Sequence, residues 1–204
     1  MLFEDTYRTL ASPSQDVYKE KGSKFIGLAY PALSEDEVKE ILKTVKKDYF
    51  DATHHCFAYQ LGFDKTASRM NDDGEPSGTA GRPIFGQIQS LDLTQVLVVV
   101  VRYYGGTKLG VSGLIHAYKT AARAALDQGK ILEKMVKEIY RIYFLYEQMN
   151  EVMHLVKEHQ AEVLDAKYEN ECELEIAIRR NFANRMTEPL RKKDKVRVLY
   201  IKSQ

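Results

Sequence analysis

Apolar residues in the first part of the chain are spaced mainly as in β-strands. Residues 16–32 predict two strands joined by a turn at Gly22 and Ser23. The short, aromatic stretch 56–61 predicts another strand. Residues 96–101 are apolar without alternation, which indicates a strand covered on both faces.

Three helices are predicted among these strands. Ser34 and Glu37 suit a capping box, and apolar positions recur behind them at helical spacing. Residues 70–83 are rich in Asp, Gly and Pro and predict a loop, with a short helix after it. Ser112 is predicted to cap the third helix, which should end at Gly129.

The remainder of the chain has the pattern β-α-β-β-α-β. Residues 139–146 predict a strand and 147–159 a helix, while Glu recurs at alternate positions over 169–175, as in a strand with one face in water. A helix follows that Pro189 should kink or end, and 196–201 predict the closing strand. A small ferredoxin-like sandwich is the expected result.

Glycine usage changes near residue 130. All 12 glycines lie at or before Gly129, and the rest of the 204-residue chain has none. We therefore predict an α+β protein of two domains, residues 1–130 and 134–204.

Composition and charge set the broad class. With 44% hydrophobic residues the chain can bury a core, and 30 Lys+Arg against 29 Asp+Glu leave no global field, so any nucleic-acid surface must be a local patch. Cys56 and Cys172 are too few for a disulfide framework or a zinc motif. No secretory signal or long apolar run is present. We expect a soluble, reduced, cytoplasmic protein without metal, cofactor or membrane contact.

The glycine-rich segment 103–110 joins a predicted buried strand to a helix. Its backbone N–H groups could bind an anion together with Arg102 and Lys108, although a tight turn that needs glycine for its geometry explains the same residues. It is not a Walker A motif, because Val111 stands where the lysine belongs.

The acidic loop offers a second candidate chemistry. Asp72, Asp73 and Glu75 are oxygen ligands of the kind that Mg²⁺ prefers, but they lack EF-hand spacing and are also ordinary turn formers. His54 and Cys56 should share one face of their strand, with His55 on the other. Two ligands on one strand face do not make a metal site, and the sequence shows no third ligand.

Eight cations crowd the last helix and strand. They form either a solvated face, neutralised in part by the Glu169–Glu175 stripe, or an RNA-binding patch. They are Arg179, Arg180, Arg185, Arg191, Lys192, Lys193, Lys195 and Arg197.

Four segments resemble the IMPACT/YigZ family. They are SKF at 23–25, ATHHCFAY at 52–59, NDDGEPSGTAGRP at 71–83 and VRYYGGTKLG at 101–110. The resemblance covers about residues 1–128 and is to the bacterial members, which carry an extra C-terminal domain. It implies a first domain similar to elongation factor G domain IV and a second similar to domain V. Eukaryotic relatives regulate translation, and the family supplies no agreed catalytic residues.

Three functions are compatible with these features. The leading hypothesis is a cytoplasmic RNA- or ribosome-binding protein, or a protein partner of the translation machinery, that modulates translation. The second is an enzyme acting on a phosphorylated or peptide substrate in a cleft between loop 72–82 and turn 105–110. The third is a protein-interaction scaffold.

Each of the first two hypotheses has its own candidate residues. The RNA hypothesis expects an open basic strip formed by Lys24, Arg82, Arg102, Tyr103, Tyr104, Gly105, Gly106 and Lys108. The enzyme hypothesis expects a closed pocket lined by His54, Asp72, Asp73, Glu75 and Ser77.

Overall fold

The structure is a computed structural model that describes residues 5–204. It divides into two compact units, residues 7–134 and residues 135–204 together with Asp5 and Thr6. Independent folding of the two units stays a prediction.

Among the described residues, the larger unit contains most of the strands and three of the α-helices. Its strands are β1 (Thr6–Leu10), β2 (Ser14–Glu20), β3 (Ser23–Pro31), β4 (His54–Leu61), β5 (Ala67–Asn71), β6 (Val96–Tyr103) and β7 (Ile131–Met135). Its helices are α1 (Glu35–Asp48), α2 (Gly81–Ser90) and α3 (Gly110–Gln128).

A five-stranded sheet in the order β2-β3-β6-β4-β5 forms the centre of this unit, and β1 pairs with β7 separately. Every neighbouring pair in the five-stranded sheet is antiparallel. Alternate β6 residues such as Val98 and Val100 pack with α2 and α3, whereas Val99 and Val101 pack with α1. The prediction of a strand covered on both faces is confirmed.

The predicted helix-end residues agree with the structure at Ser34 and Gly129 but not at Ser112. Ser34 Oγ accepts from Glu37 N at 3.2 Å as predicted, although the Glu37 carboxylate accepts from Leu33 N rather than Ser34 N. The prediction that Ser112 caps α3 is wrong, because the helix begins at Gly110 and has no side-chain cap. It ends before Gly129 as expected.

The loop prediction for residues 70–83 is too long at both ends. β5 pairs with β4 through Asn71, and α2 already begins at Gly81. β5 lies at the sheet edge and is largely exposed. It therefore lacks the pattern of apolar residues from which a strand is predicted.

The smaller unit has the predicted β-α-β-β-α-β order. Its elements are β8 (Lys137–Leu145), α4 (Met149–Glu158), β9 (Glu162–Lys167), β10 (Glu171–Arg179), α5 (Arg180–Arg191) and β11 (Arg197–Ser203). The sheet order is β11-β8-β10-β9, and both helices contribute to one core with the inner faces of β8 and β10. α5 continues two residues beyond Pro189.

Asp5 ties the start of the described chain to this smaller unit. Its carboxylate accepts two hydrogen bonds from Arg179, one of them 2.9 Å from Nη2. These bonds hold the pKa of Asp5 below its usual value.

Asp5→Asn should therefore lower the free energy of unfolding at neutral pH. We expect a loss of about 1 kcal/mol, because water screens this pair through the partly exposed Arg179. A carboxyl group whose pKa is lowered by folding stabilises the folded state fully at pH values above its unfolded pKa. That stabilisation is lost as the pH falls through the folded pKa. Urea denaturation should show the difference between wild type and variant shrinking below about pH 4; a difference that grows on acidification would contradict this.

Candidate functional site

A cavity of about 450 Å³ lies in the larger unit beside the end of β6. The start of β4, the loop before α2, the turn after β6 and the first turns of α3 form its walls. The lining residues are Thr53, His54, Glu75, Pro76, Arg102, Tyr104, Lys108, Leu109, Gly110, Val111 and Leu114.

A buried ion pair lies at the base of this cavity. Arg102 Nη1 donates to Glu75 Oε1 at 2.6 Å, and the Tyr118 hydroxyl on α3 donates to the same oxygen at 2.7 Å. The two charged side chains are only 7% and 4% exposed. Because Tyr118 adds a second hydrogen bond to Oε1, the Glu75 charge is well compensated on that side.

Aromatic rings hold the Arg102 guanidinium in place. Its central carbon lies 5.4 Å from the ring centroids of both Phe25 and Tyr104, within the range of cation–π attraction. Phe25 and His54 are the cross-strand neighbours of Arg102 on β3 and β4. Arg102 Nε has no hydrogen-bond partner among residues 5–204.

His54 presents a defined nitrogen to the cavity. Its Nδ1 donates to the carbonyl of Asp73 at 2.7 Å, since a carbonyl oxygen can only accept. In the neutral ring the proton therefore sits on Nδ1, and Nε2 carries the free lone pair. Nε2 lies 3.8 Å from Glu75 Oε1.

Cys56 lies behind this cluster and is held as a thiol. Its Sγ is 3.0 Å from the Asp72 carbonyl and 3.4 Å from the Tyr118 hydroxyl. Burial raises the pKa of Cys56 to about 12, so at neutral pH its side chain is a protonated, weakly nucleophilic thiol. As predicted, His54 and Cys56 share a face while His55 points the other way, with its Nε2 2.9 Å from the Tyr49 carbonyl.

The three acidic residues of the loop diverge. Asp72 accepts from the backbone N–H groups of Gly78, Ala80 and Gly81 at 2.8–3.0 Å, which caps the start of α2. Burial pushes the pKa of Asp72 upward, but these three hydrogen bonds bring it below its usual value overall. Asp73 accepts from His55 N at 2.6 Å.

Of the predicted pocket residues, only His54 and Glu75 line the cavity. Asp72 and Asp73 instead accept hydrogen bonds from backbone N–H groups. Ser77 is exposed and outside the lining. Within residues 5–204 no three His, Cys, Asp or Glu side chains come together as a metal site.

The glycine turn combines structural and open positions. The backbone N–H groups of Tyr104 and Gly105 donate to Thr53 Oγ1 at 3.2 Å and Ser23 Oγ at 3.1 Å, so neither is available to an anion. Gly106 has φ +85° and open space around it.

The cationic end of this turn stays available to a ligand. Lys108 is exposed and has no ion pair within the described part of the chain. The adjoining N-terminus of α3 has no side-chain cap and no acidic residue in its first turn.

The other predicted RNA-contacting residues do not form one strip. Lys24 and Tyr103 are cross-strand neighbours on the sheet face opposite Arg102, and the Tyr103 hydroxyl donates to Asp51 at 2.8 Å. Arg82 is exposed on α2, outside the cavity. The geometry thus concentrates Arg102, Tyr104 and Lys108 at the cavity and separates them from the remaining candidates.

The C-terminal basic patch is half neutralised within the smaller unit. Four of its cations form ion pairs: Arg179 with Asp5, Arg180 with Glu138, Lys193 with Glu151, and Arg197 with Glu171. Glu173 and Glu175 of the acidic stripe pair instead with Arg141. This pattern favours a solvated, internally balanced face.

Sequence reasoning missed several residues that either line the cavity or contact the Glu75–Arg102 pair from behind it. Tyr118 stands on the apolar stripe of α3, where its hydroxyl has no sequence signature, and Phe25 is an ordinary strand aromatic. Pro76, Leu109 and Val111 enter the lining through loop geometry alone. Among the described residues, no helix has the length and apolarity needed to span a membrane.

Comparison with known proteins places the chain in a family. Residues 21–126 match the Impact N-terminal domain. The chain is 32% identical over 166 residues to IMPACT family member YvyE of Bacillus subtilis, covering 81% of this chain and 76% of that protein. It is 31% identical over 170 residues to IMPACT family member YigZ of Escherichia coli, covering 82% and 83%.

A solved structure described as a hypothetical protein superimposes with a TM-score of 0.73 at 27% identity, covering 98% of this chain and 99% of that one. The family match and the two relatives agree with the four segments that carry the resemblance, and these segments supply most of the cavity wall. The chain belongs to the IMPACT family.

Proposed function

We propose that this chain modulates translation in the cytoplasm by binding RNA, including ribosomal RNA, at the cavity edge around Lys108. The translational part rests on family membership, since the IMPACT resemblance implies a role in translational control. Similarity to elongation factor G domains IV and V, with a ferredoxin-like second domain, is part of the same proposal and agrees with the strand order of the smaller unit.

The observation that carries RNA binding is the unpaired cation beside an uncapped helix start. Lys108 is exposed without a carboxylate partner in the described chain, and the first N–H groups of α3 add a partial positive charge. Tyr104 is 47% exposed and offers a ring for stacking. Backbone phosphate and an unstacked base are the two chemistries that single-stranded RNA presents.

Co-sedimentation tests the proposal directly. In a lysate run through a sucrose gradient at low salt, the protein should travel with ribosomal subunits, and it should leave them at high salt because phosphate contacts weaken as salt rises. Migration at the top of the gradient at every salt concentration would count against ribosome binding.

Lys108→Ala should weaken RNA binding for all sequences alike, because a phosphate contact positions the ligand without reading its sequence. The slope of log affinity against log salt should fall by about 0.7 for single strands. Lys192→Ala is the matched control, since it also removes one exposed cation without an ion pair in residues 5–204. Equal effects of the two variants would mean that only overall charge matters.

A second function, acid–base catalysis on a phosphorylated or peptide substrate, is favoured by one observation. His54 Nε2 faces the cavity with a fixed tautomer next to Glu75. If a phosphate monoester or a short peptide is turned over, His54→Gln should abolish turnover and leave ligand binding in place. Turnover that survives this change would remove His54 from the chemistry.

A further inference from the structure

The cavity combines three features that one ligand can satisfy together. Its mouth carries Lys108 and the N-terminus of α3, its walls are mostly apolar, and Glu75 and His54 lie at its base. A ligand that fits must carry an anionic group, a flat apolar body and a polar edge.

The polar edge faces hydrogen-bond acceptors. Glu75 Oε1 is already used by Arg102 and Tyr118, whereas Oε2 accepts no hydrogen bond from any described residue. This is an unpartnered carboxylate oxygen on a side chain that is only 4% exposed. In the neutral ring His54 Nε2 is the second acceptor, so the matching edge of the ligand must donate N–H groups.

The flat body has a defined wall to pack against. Tyr104 leaves half of its surface open to solvent, while Pro76, Leu109, Val111 and Leu114 form the apolar sides. Stacking on an aromatic side chain is a common way to hold an unstacked base.

We propose that the cavity binds a single unstacked nucleotide whose base carries an exocyclic amino group, with its phosphate at Lys108 and the start of α3. The inference rests on the proposed RNA function and names the unit of RNA that the site takes. Adenine, cytosine and guanine bring amino N–H donors to Glu75 Oε2 and His54 Nε2. Uracil offers one N–H group, at N3 between two carbonyl oxygens, so it can satisfy only one of the two acceptors and leaves the other facing a carbonyl oxygen.

CMP and UMP form a matched pair for the test, since they share phosphate and sugar and differ in the exocyclic amino or carbonyl group. NMR titration of the full chain, which follows binding even at about 1 mM Kd, should show CMP binding about ten-fold more tightly than UMP. Inorganic phosphate should bind far more weakly than CMP. Equal affinity for CMP and UMP, or for phosphate and CMP, would overturn the inference.

A blocking variant ties the nucleotide to this cavity. Val111→Trp fills the mouth without changing charge, at a position that is 60% exposed, and should weaken CMP binding at least about ten-fold. Ile115→Trp is the control, because it lies one turn further along α3 and outside the lining. CMP binding that is unchanged in Val111→Trp would place the nucleotide elsewhere and overturn the inference.

RNA affinity measured in parallel separates this inference from the proposed function. If RNA binds and is weakened by Val111→Trp but not by Ile115→Trp, both are supported. If RNA binds and no nucleotide does, or RNA binding ignores Val111→Trp, the cavity inference is wrong and the RNA function stands. If neither RNA nor nucleotide binds, both are wrong.

Discussion

Glu75→Ala should cost the larger unit about 3–5 kcal/mol of unfolding free energy, the usual result of removing one partner from a buried ion pair. Arg102 would keep its charge in a site where the guanidinium is almost fully enclosed. Tyr118 would lose the acceptor of its hydroxyl at the same time. Urea denaturation monitored through the unfolding of the larger unit measures the loss.

A double-mutant cycle distinguishes an uncompensated charge from simple loss of packing. Glu75→Leu with Arg102→Met replaces both charges by apolar groups of similar size, and buried pairs replaced in this way often fold as well as the original. We expect the double variant to recover about half or more of the loss. It should still fail to prefer CMP over UMP, since the carboxylate that accepts the amino group is gone. If the two single losses simply add, the buried pair is not what Glu75 contributes.

The elements with strong periodicity were predictable from the sequence, because their burial leaves a pattern. β6 is covered on both faces and has an unbroken apolar run, and the β-α-β-β-α-β order of the smaller unit follows from alternation and helical spacing. β5 escaped prediction because it lies at a sheet edge and is mostly exposed. The start of α3 was misplaced because no side chain caps it.

The candidate site was predictable in its segments but not in its pairing. The sequence singles out His54, Glu75, Arg102 and Lys108, and all four line the cavity. It also singles out four other charged candidates, Lys24, Asp72, Asp73 and Arg82, which lie outside the lining. Whether a carboxylate faces a helix start, as Asp72 does, or a buried guanidinium depends on loop geometry that has no periodicity. The phenol that shares Glu75 comes from a helix some forty residues further along the chain.

Gly105→Ala should be the most damaging small substitution in the glycine turn. A Cβ at this position would lie 1.9 Å from the carbonyl carbon of Gly22 and 2.2 Å from Ser23 N. Both obstacles are backbone atoms that cannot rotate away, so the turn between β2 and β3 and the end of β6 must move apart. The hydrogen bond from Gly105 N to Ser23 Oγ would be strained as well. We expect a loss of about 3 kcal/mol in unfolding free energy.

Substitutions at two further glycines, one in the same turn and one in α2, give the scale for that loss. Gly106→Ala meets open space but must keep φ near +85°, so it should cost about 1 kcal/mol. Gly86→Ala, inside α2 with no atom near its added Cβ, should stabilise the protein by about 0.5–1 kcal/mol. Urea denaturation of the three variants should therefore rank Gly105→Ala far below Gly106→Ala, with Gly86→Ala above wild type. A Gly105→Ala variant as stable as Gly106→Ala would mean that close backbone packing does not hold the turn, and the need for glycine there would then have to come from a ligand.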